Sequence, residues 1–535
     1  MASPLFILFA TTIGYVLFRL SKVGRRPKGI PPGPPTVPIL GNLHLMPKDD
    51  PPTQFKKWAD EYGPIYSLIL GTNVTIVLSS DVVVKELLDK RSSIYSSRPE
   101  SYLSSLSSDF RRMVLMEYGS QWRRIRKFFH AFLQLKSVKA YVPYIELEST
   151  SVMVDLLDKP QIIFEHVRRY STSIASQLVY GFRMPKVDDP RLLHVYEIME
   201  GFSEITGPGA AALLDIFPIL RYLPPALQPL RGFAIYLRKI SIDLAIKLWL
   251  EVKQQMQDKT AKPCFCVGLA DAQAKEGLDD LDLGFAASTG LEAAADTTAN
   301  SLSGLVLALV IHRDVQKKAQ EAIDRACGDR LPTIADMENP DAQYIKACVK
   351  EVLRWFPTAP LGVPHAVTQD DEYMGYRIPK GATVVINAWG IHMDEKRYKN
   401  PRVFDPDRYM DDTTTSSESA MGPDPTKRDH FSFGAGRRIC EGMHLVDRTM
   451  FLFISRLVWA FDLLPAKDAK GNDVIPDQND LLGNFLRRPR PFPLEVKPRS
   501  EARAAALRQA WKEAQELLDK DQQWKVIPEG MPFTL

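Results

Sequence analysis

A mainly helical fold with a small β-sheet is what this 535-residue sequence predicts. Three observations carry that expectation. Most segments after the first eighty residues space their apolar side chains at helical intervals. Residues 283–310 are rich in Ala, Thr, Ser, Gly and Leu, and as one continuous helix they would run on the order of 40 Å, enough to cross a domain. Strand signals are short and few: residues 65–70 and 75–78 flank Gly71-Thr72-Asn73, and residues 373–378 and 383–387 are parted by the turn signature Pro379-Lys380-Gly381.

The ends of the chain read differently from its body. Residues 1–18 carry no charge and approach the roughly 20 residues that a membrane-spanning helix needs. Arg19, Lys22, Arg25, Arg26 and Lys28 follow. A secretory signal places its positive charge before the apolar run, so this reversed order predicts an uncleaved anchor with the remaining chain on the cytosolic side; a buried core helix is the alternative. Residues 19–35 form a basic, proline-rich hinge ending in Pro31-Pro32-Gly33-Pro34-Pro35, which stiffens the connection. At the other end, 500–535 is a helical extension: Ser500 can cap a helix whose Leu507, Trp511, Ala514 and Leu518 share one face. Residues 411–425 are polar and are expected as a surface loop.

Charge and cysteine content narrow the possible functions. Sixty-eight Lys and Arg against sixty-five Asp and Glu leave +3, which argues against a nucleic-acid partner. Five cysteines at irregular spacing do not make a disulfide framework and point to a reducing compartment. One of them is singular. Phe433-Gly434-Ala435-Gly436-Arg437-Arg438-Ile439-Cys440-Glu441-Gly442 sets Cys440 in a glycine-rich loop behind an arginine, and reads as a haem-thiolate site. Gly436 can turn the chain under a flat macrocycle, and Gly442 removes a side chain where the next helix approaches. Arg438 lies within reach of a haem propionate, and a buried structural cysteine is the competing reading. The pattern Phe-x-x-Gly-x-Arg-x-Cys-x-Gly resembles the haem loop of the cytochrome P450 monooxygenases.

The resemblance extends through most of the chain and implies a P450 fold, with residues 36–499 as one haem domain. Haem b would be held by the Cys440 thiolate, its iron's only protein ligand, with Phe433, Gly436, Arg438 and Gly442 in the loop around it. Glu351 and Arg354 sit three apart on one helical face. Such pairs are commonly solvated, but with Arg408 in Phe404-Asp405-Pro406-Asp407-Arg408-Tyr409 they resemble the family's buried structural cluster. Trp122 and Arg126, four apart, offer only hydrogen-bond donors, which suits a propionate, and they match the family's Trp-x-x-x-Arg element. His365 in Pro364-His365-Ala366 resembles a fungal form of another propionate contact.

Ala293-Ala294-Ala295-Asp296-Thr297-Thr298 resembles the family's oxygen-binding motif, so Asp296 and Thr297 are the candidates for delivering protons to dioxygen. By family position Met113, Leu115, Met116, Leu291, Ala293, Leu361, Val363 and Phe485 should line an apolar substrate pocket. Two departures stand out. Ala294 replaces a glycine that eases the oxygen groove, and Glu441 replaces an apolar residue or proline after the ligand and is expected to face the reductase-docking surface.

Several segments look like fungal microsomal P450s of secondary metabolism, and the chain is similar to hydroxylases of small aromatic polyketides. That implies insertion of one atom of dioxygen into an apolar small molecule at the endoplasmic reticulum membrane. Electrons would come from a separate NADPH-cytochrome P450 reductase, with cytochrome b5 as an optional second donor; membrane lipid is the remaining partner. A haem-thiolate isomerase or dehydratase, a haem carrier, and terpenoid or alkaloid oxidation are the alternative readings.

Overall fold

A computed structural model describes the chain except residues 1–5, 7–10, 13, 16–17, 19–20, 208–211, 484 and 534–535, and the side chain of Ala274. Most of the expected anchor, 1–18, therefore lies outside the described residues. The longer helices are α1 (Pro51–Tyr62), α2 (Ser120–Leu133), α3 (Val142–Asp158), α4 (Ile163–Tyr180), α5 (Pro190–Thr206), α6 (Arg231–Gln257), α7 (Phe265–Glu276), α8 (Asp280–Ile311), α9 (Arg313–Cys327), α10 (Gln343–Trp355), α11 (Met443–Ala460) and α12 (Glu501–Gln515). The stretch expected as one long helix is α8, and it is unbroken over 32 residues. Asp279 caps it, accepting from the Asp282 amide. Among the described residues α8 alone is long and apolar enough to cross a membrane, but 83% of its most apolar stretch is buried inside the protein. It is a core helix, packed chiefly against α4 and α6.

The strands are β1 (Ile65–Leu70), β2 (Asn73–Leu78), β3 (His365–Ala366), β4 (Asp371–Tyr373), β5 (Tyr376–Ile378), β6 (Thr383–Ile386), β7 (Phe461–Lys467), β8 (Asp473–Val474), β9 (Leu481–Leu482), β10 (Arg488–Pro489) and β11 (Leu494–Pro498). The largest sheet has the order β1-β2-β6-β3, with β1 and β2 antiparallel in the register Ile65↔Leu78 and β2 parallel to β6. The single strand expected at 373–378 is instead the hairpin β4–β5, because Met374 and Gly375 both take positive φ. Ile76, Leu78 and Ile386 from the sheet share a core with Phe431 and Ala435. This fixes the cysteine loop against the sheet on one side, while α11 leaves from its other end.

Two sequence expectations need correction. Residues 411–425 are not all loop: Thr415 and Glu418 form a reciprocal capping box for a helical turn, Ser416–Met421, and the Ser417 amide donates to the buried Asp447. The C-terminal helix starts on the Ser500 cap and buries Leu507, but it ends at Gln515. Leu518 is reached through a turn and is buried opposite Trp524. From there the chain folds back onto the body, where Trp524 donates to Gln177 at 2.7 Å and tilts on Tyr144.

Candidate active site

Cys440 ends a loop closed by its own amide, which donates to the Phe433 carbonyl at 2.9 Å. Gly436 has φ +63°, and a Cβ there would meet the Leu88 carbonyl oxygen at 2.0 Å. Its amide donates to Asp89 at 2.6 Å. Close packing on Leu88 therefore demands the glycine. Gly442 differs from its expected role, since the nearest atom to a Cβ there is the Cys440 sulfur, at an ordinary 3.7 Å. Burial pushes the Cys440 thiol up, against the amides of Gly442 and Met443 at the start of α11 and the Arg126 guanidinium. Cys440 is the one cysteine lining the central cavity. The other four are free elsewhere, and no disulfide forms.

Arg98, Arg126, His365 and Arg438 converge on one end of that cavity, beside Trp122 and Phe433. Arg438 donates to the carbonyls of Ser96 and Met116 at 2.8 and 2.6 Å and stacks 4.1 Å over the Trp122 ring. Burial, then Arg126, pushes its pKa down to about 9. Arg98 donates to the carbonyls of Val114, Val363 and Pro364 and is pushed well down, by burial first and then by Arg438 and Arg126. Sequence reasoning missed Arg98, which carries no spacing signal and is marked only by its burial. His365 on β3 gives its Nδ1 proton to the Tyr95 carbonyl at 2.7 Å, and burial beside Arg98 holds its pKa near 3. Arg98 and Arg438 are hydrogen-bonded to uncharged carbonyls and not neutralised, while His365 is neutral. A set of arginines gathered beside a cysteine is the donor set that the two propionates of a haem require.

Glu441 reaches back into this cluster. Its carboxylate lies 2.5 Å from Arg126 Nε, with both side chains 17% exposed, and 3.6 Å from His130. The carboxylate is thus drawn inward to Arg126 while still meeting the exposed ring of His130.

Behind the loop, Arg354 grips Glu351 bidentately at 2.7 Å with both side chains fully buried. Arg408 lies 3.4 Å from the same carboxylate, and the Asp405 amide donates to it at 2.8 Å. Arg354 also donates to the His392 carbonyl, and the Phe431 amide donates to His392 Nε2 at 2.7 Å. The cluster thus braces the residues immediately before the loop.

Helix α8 forms the facing wall. Thr297 lines the cavity, its hydroxyl donating to the Ala293 carbonyl at 2.8 Å. Asp296 does not line it. Its buried carboxyl is pushed up by desolvation, against the pull of Arg168 and Arg488, which share Glu200. Ala294 leaves α8 unbroken, and its carbonyl accepts from Ser171 at 2.6 Å. Of the expected pocket residues, Met113, Ala293, Val363 and Phe485 line the cavity. Leu291 is fully buried in the main core, Leu361 packs with Val385 and Trp58 behind the sheet, and Met116 is buried while its carbonyl serves Arg438. Leu115 closes a turn on the Arg112 carbonyl and is not at the cavity. Phe129, Leu178, Val179, Met199 and Phe202, with Arg112 and Glu292, complete the wall.

Comparison with known proteins bears on the same residues. The Cytochrome P450 family matches residues 31–496. The chain is 54% identical to Cytochrome P450 monooxygenase fsoB of Humicola fuscoatra over all of this chain and 99% of that one. It is 48% identical to Cytochrome P450 monooxygenase virE of Hypocrea virens, covering 100% and 97%. Cytochrome P450 monooxygenase fogE of Aspergillus ruber is 45% identical, covering 96% and 95%. A loop ending in a half-buried cavity cysteine, an adjoining cluster of arginines and matches of this length agree on one conclusion: the chain belongs to the cytochrome P450 family and is a monooxygenase whose haem is held by a cysteine thiolate.

Proposed function

We propose that this P450 hydroxylates a small, largely apolar molecule, of the aromatic polyketide class, in fungal secondary metabolism at the endoplasmic reticulum membrane. The observation that carries the reading is a cavity with Cys440 on one wall and Thr297 on the opposite one, closed by Phe129, Met199, Phe202 and Phe485. Haem bound there supplies oxygen activation, with electrons from NADPH through a separate flavoprotein reductase. Arg98, Arg126 and Arg438 would hold the propionates, and His365 would join them on taking a second proton, at Nε2, beside a propionate's negative charge. Aromatic and aliphatic walls exclude water and bring an apolar C–H group to the reaction centre. Thr297 holds a hydroxyl proton at the cavity surface. Asp296, one residue earlier and buried, is the inner end of the proton path.

Microsomes containing the chain and a P450 reductase, given alkylphenols, NADPH and ¹⁸O-labelled dioxygen, should form products carrying one labelled oxygen. Removing residues 1–28 should shift that activity from the membrane pellet toward the supernatant. Turnover of terpenes but of no phenol would overturn the polyketide assignment. Thr297→Ala should keep haem but lower the product formed per NADPH, the lost equivalents appearing as peroxide; an unchanged ratio would remove Thr297 from the proton path.

A further inference from the structure

The cavity contains a charged pair that the haem end does not use. Arg112, from the segment before α2, is 3% exposed, and Glu292 on α8 is 4% exposed. Arg112 Nε lies 3.1 Å from one carboxylate oxygen and Nη2 3.3 Å from the other. Ser288 donates to the carboxylate at 2.8 Å, and the guanidinium lies 4.2 Å over the Phe202 ring. Arg112 Nη1 is buried without a hydrogen-bond partner, Nε meets Glu292 as an ion pair without a hydrogen bond, and the hydroxyl of Thr289, three residues before Glu292 on the same face of α8, is also unpartnered. Both residues line the cavity.

Stability gives no reason for this arrangement. A buried ion pair is commonly no better than an apolar pair of the same volume, and an unmet donor makes it worse. A ligand explains it. Nη2 is committed to Glu292, Nη1 has no partner in the cavity wall, and Thr289, whose hydroxyl can donate or accept, lines the same cavity. The charges already cancel, so a third charge would be buried uncompensated beside Glu292 or Arg112. We propose that Arg112, held by Glu292, is the polar anchor for the substrate and selects an uncharged molecule bearing an acceptor oxygen, a phenol or a carbonyl, over hydrocarbons and carboxylic acids. The proposal rests on the monooxygenase reading of this cavity and adds its substrate class.

The test is binding to the haem-loaded protein, followed by the shift of its absorption band, with three probes of similar shape: 2-acetylnaphthalene, 2-isopropylnaphthalene and 2-naphthoate. The ketone should bind at least about tenfold tighter than either of the others, about one hydrogen bond to a charged donor. Arg112→Met alone strands Glu292, so the neutral double variant R112M/E292M is used. It should bring ketone and hydrocarbon within about twofold while the ferrous carbon monoxide band stays in place. Arg112→Lys keeps the charge but loses the open fork edge, and should lose the preference too. Equal binding of ketone and hydrocarbon to the unaltered protein, tightest binding of naphthoate, or a preference that survives in either variant would overturn the proposal. Loss of NADPH-dependent turnover with the ketone preference intact would instead count against the hydroxylase reading alone.

Discussion

At one end of the cavity, where Arg98, Arg126, His365 and Arg438 gather, the carboxylate of Glu441 meets only Arg126 of the four; at the other, Arg112 meets a carboxylate of its own. The first end keeps its cations in place with backbone carbonyls, which satisfy hydrogen bonds but carry no charge. The second is electrically closed and leaves two guanidinium nitrogens, Nε and Nη1, without a hydrogen bond. A third site shows what a cluster without a ligand looks like. Glu148 on α3 is fully buried and receives Arg169, Arg183, Ser173 and Gln177 at 2.6–2.9 Å. Arg169 Nε and Arg183 Nη2 also lack partners there, so an unmet nitrogen alone does not mark a ligand site; the cavity pair differs in lining an open cavity, where uncancelled charge suits an ion and a cancelled pair suits a neutral polar group.

The strongest way to break this comparison is to remove the ligand that ties the first end to the haem. Cys440→His should abolish the red-shifted band of the ferrous carbon monoxide complex and nearly all monooxygenation, and persistence of the band would mean another residue supplies the thiolate. Next in size is Arg98→Gln. Losing a hydrogen bond to a charged group is worth about 1.5–3 kcal/mol, so haem should transfer to a scavenging apo-globin about tenfold faster or more, while the ketone preference set by Arg112 stays put. Equal loss of both would show that the two ends are not separable.

A smaller effect contrasts these charged ends with the neutral groups beneath the loop. His392 and His430 are buried and held below their ordinary 6.5, His430 near 3, by burial first and then by neighbouring cations or each other. Only the unfolded chain takes up their protons, so the stability they contribute is full above about pH 6.5 and is lost as pH falls below it. Each proton is worth about 1.4 kcal/mol per pH unit. Asp429 and Asp447, raised by burial to about 6, act oppositely: the folded state protonates first, so stability returns as pH falls from 6 toward 3.8. Melting temperature should therefore drop from pH 7 to about 6 and then flatten. His430→Leu should reduce the drop, and Asp447→Asn should extend it below pH 6. A melting curve flat from 7 to 6 would contradict the burial of these histidines.

The smallest effect is expected from Glu441→Ala. Arg126 keeps its carbonyl partner at Ile439 when the carboxylate is gone. Because the carboxylate competes for Arg126, its removal should slow haem loss by no more than about fivefold and leave the carbon monoxide band unshifted. A change confined to the salt dependence of reduction by the reductase would return Glu441 to the docking surface.

What the sequence makes legible follows from distance along the chain. Glu351 and Arg354, or Trp122 and Arg126, sit one turn apart, and helical periodicity alone aligns them. The hairpin of β1 and β2 and the length of α8 come from equally local patterns. Arg98 and Arg112 lie in connecting segments between β2 and α2, where no periodicity says which way a side chain turns. Glu292 is conspicuous as one of two carboxylates in the central part of α8, yet its partner is 180 residues away. Leu115, Leu291 and Leu361 fail as pocket residues for a related reason: apolar character fits a core and a pocket equally well, and only packing separates them.

The unbroken course of α8 has a geometric consequence. A helix without kink or bulge is a rigid scale with about 1.5 Å between marks, so the five steps from Glu292 to Thr297 correspond to about 7.5 Å along its axis. Because the helix runs through Ala294 without a break, that spacing does not stretch to suit the guest. Regiochemistry is then a matter of length: hydroxylation should fall on carbon at a fixed reach from the anchored oxygen, and homologous substrates lengthened between those two points should be oxidised at a different carbon, not at a displaced copy of the same one.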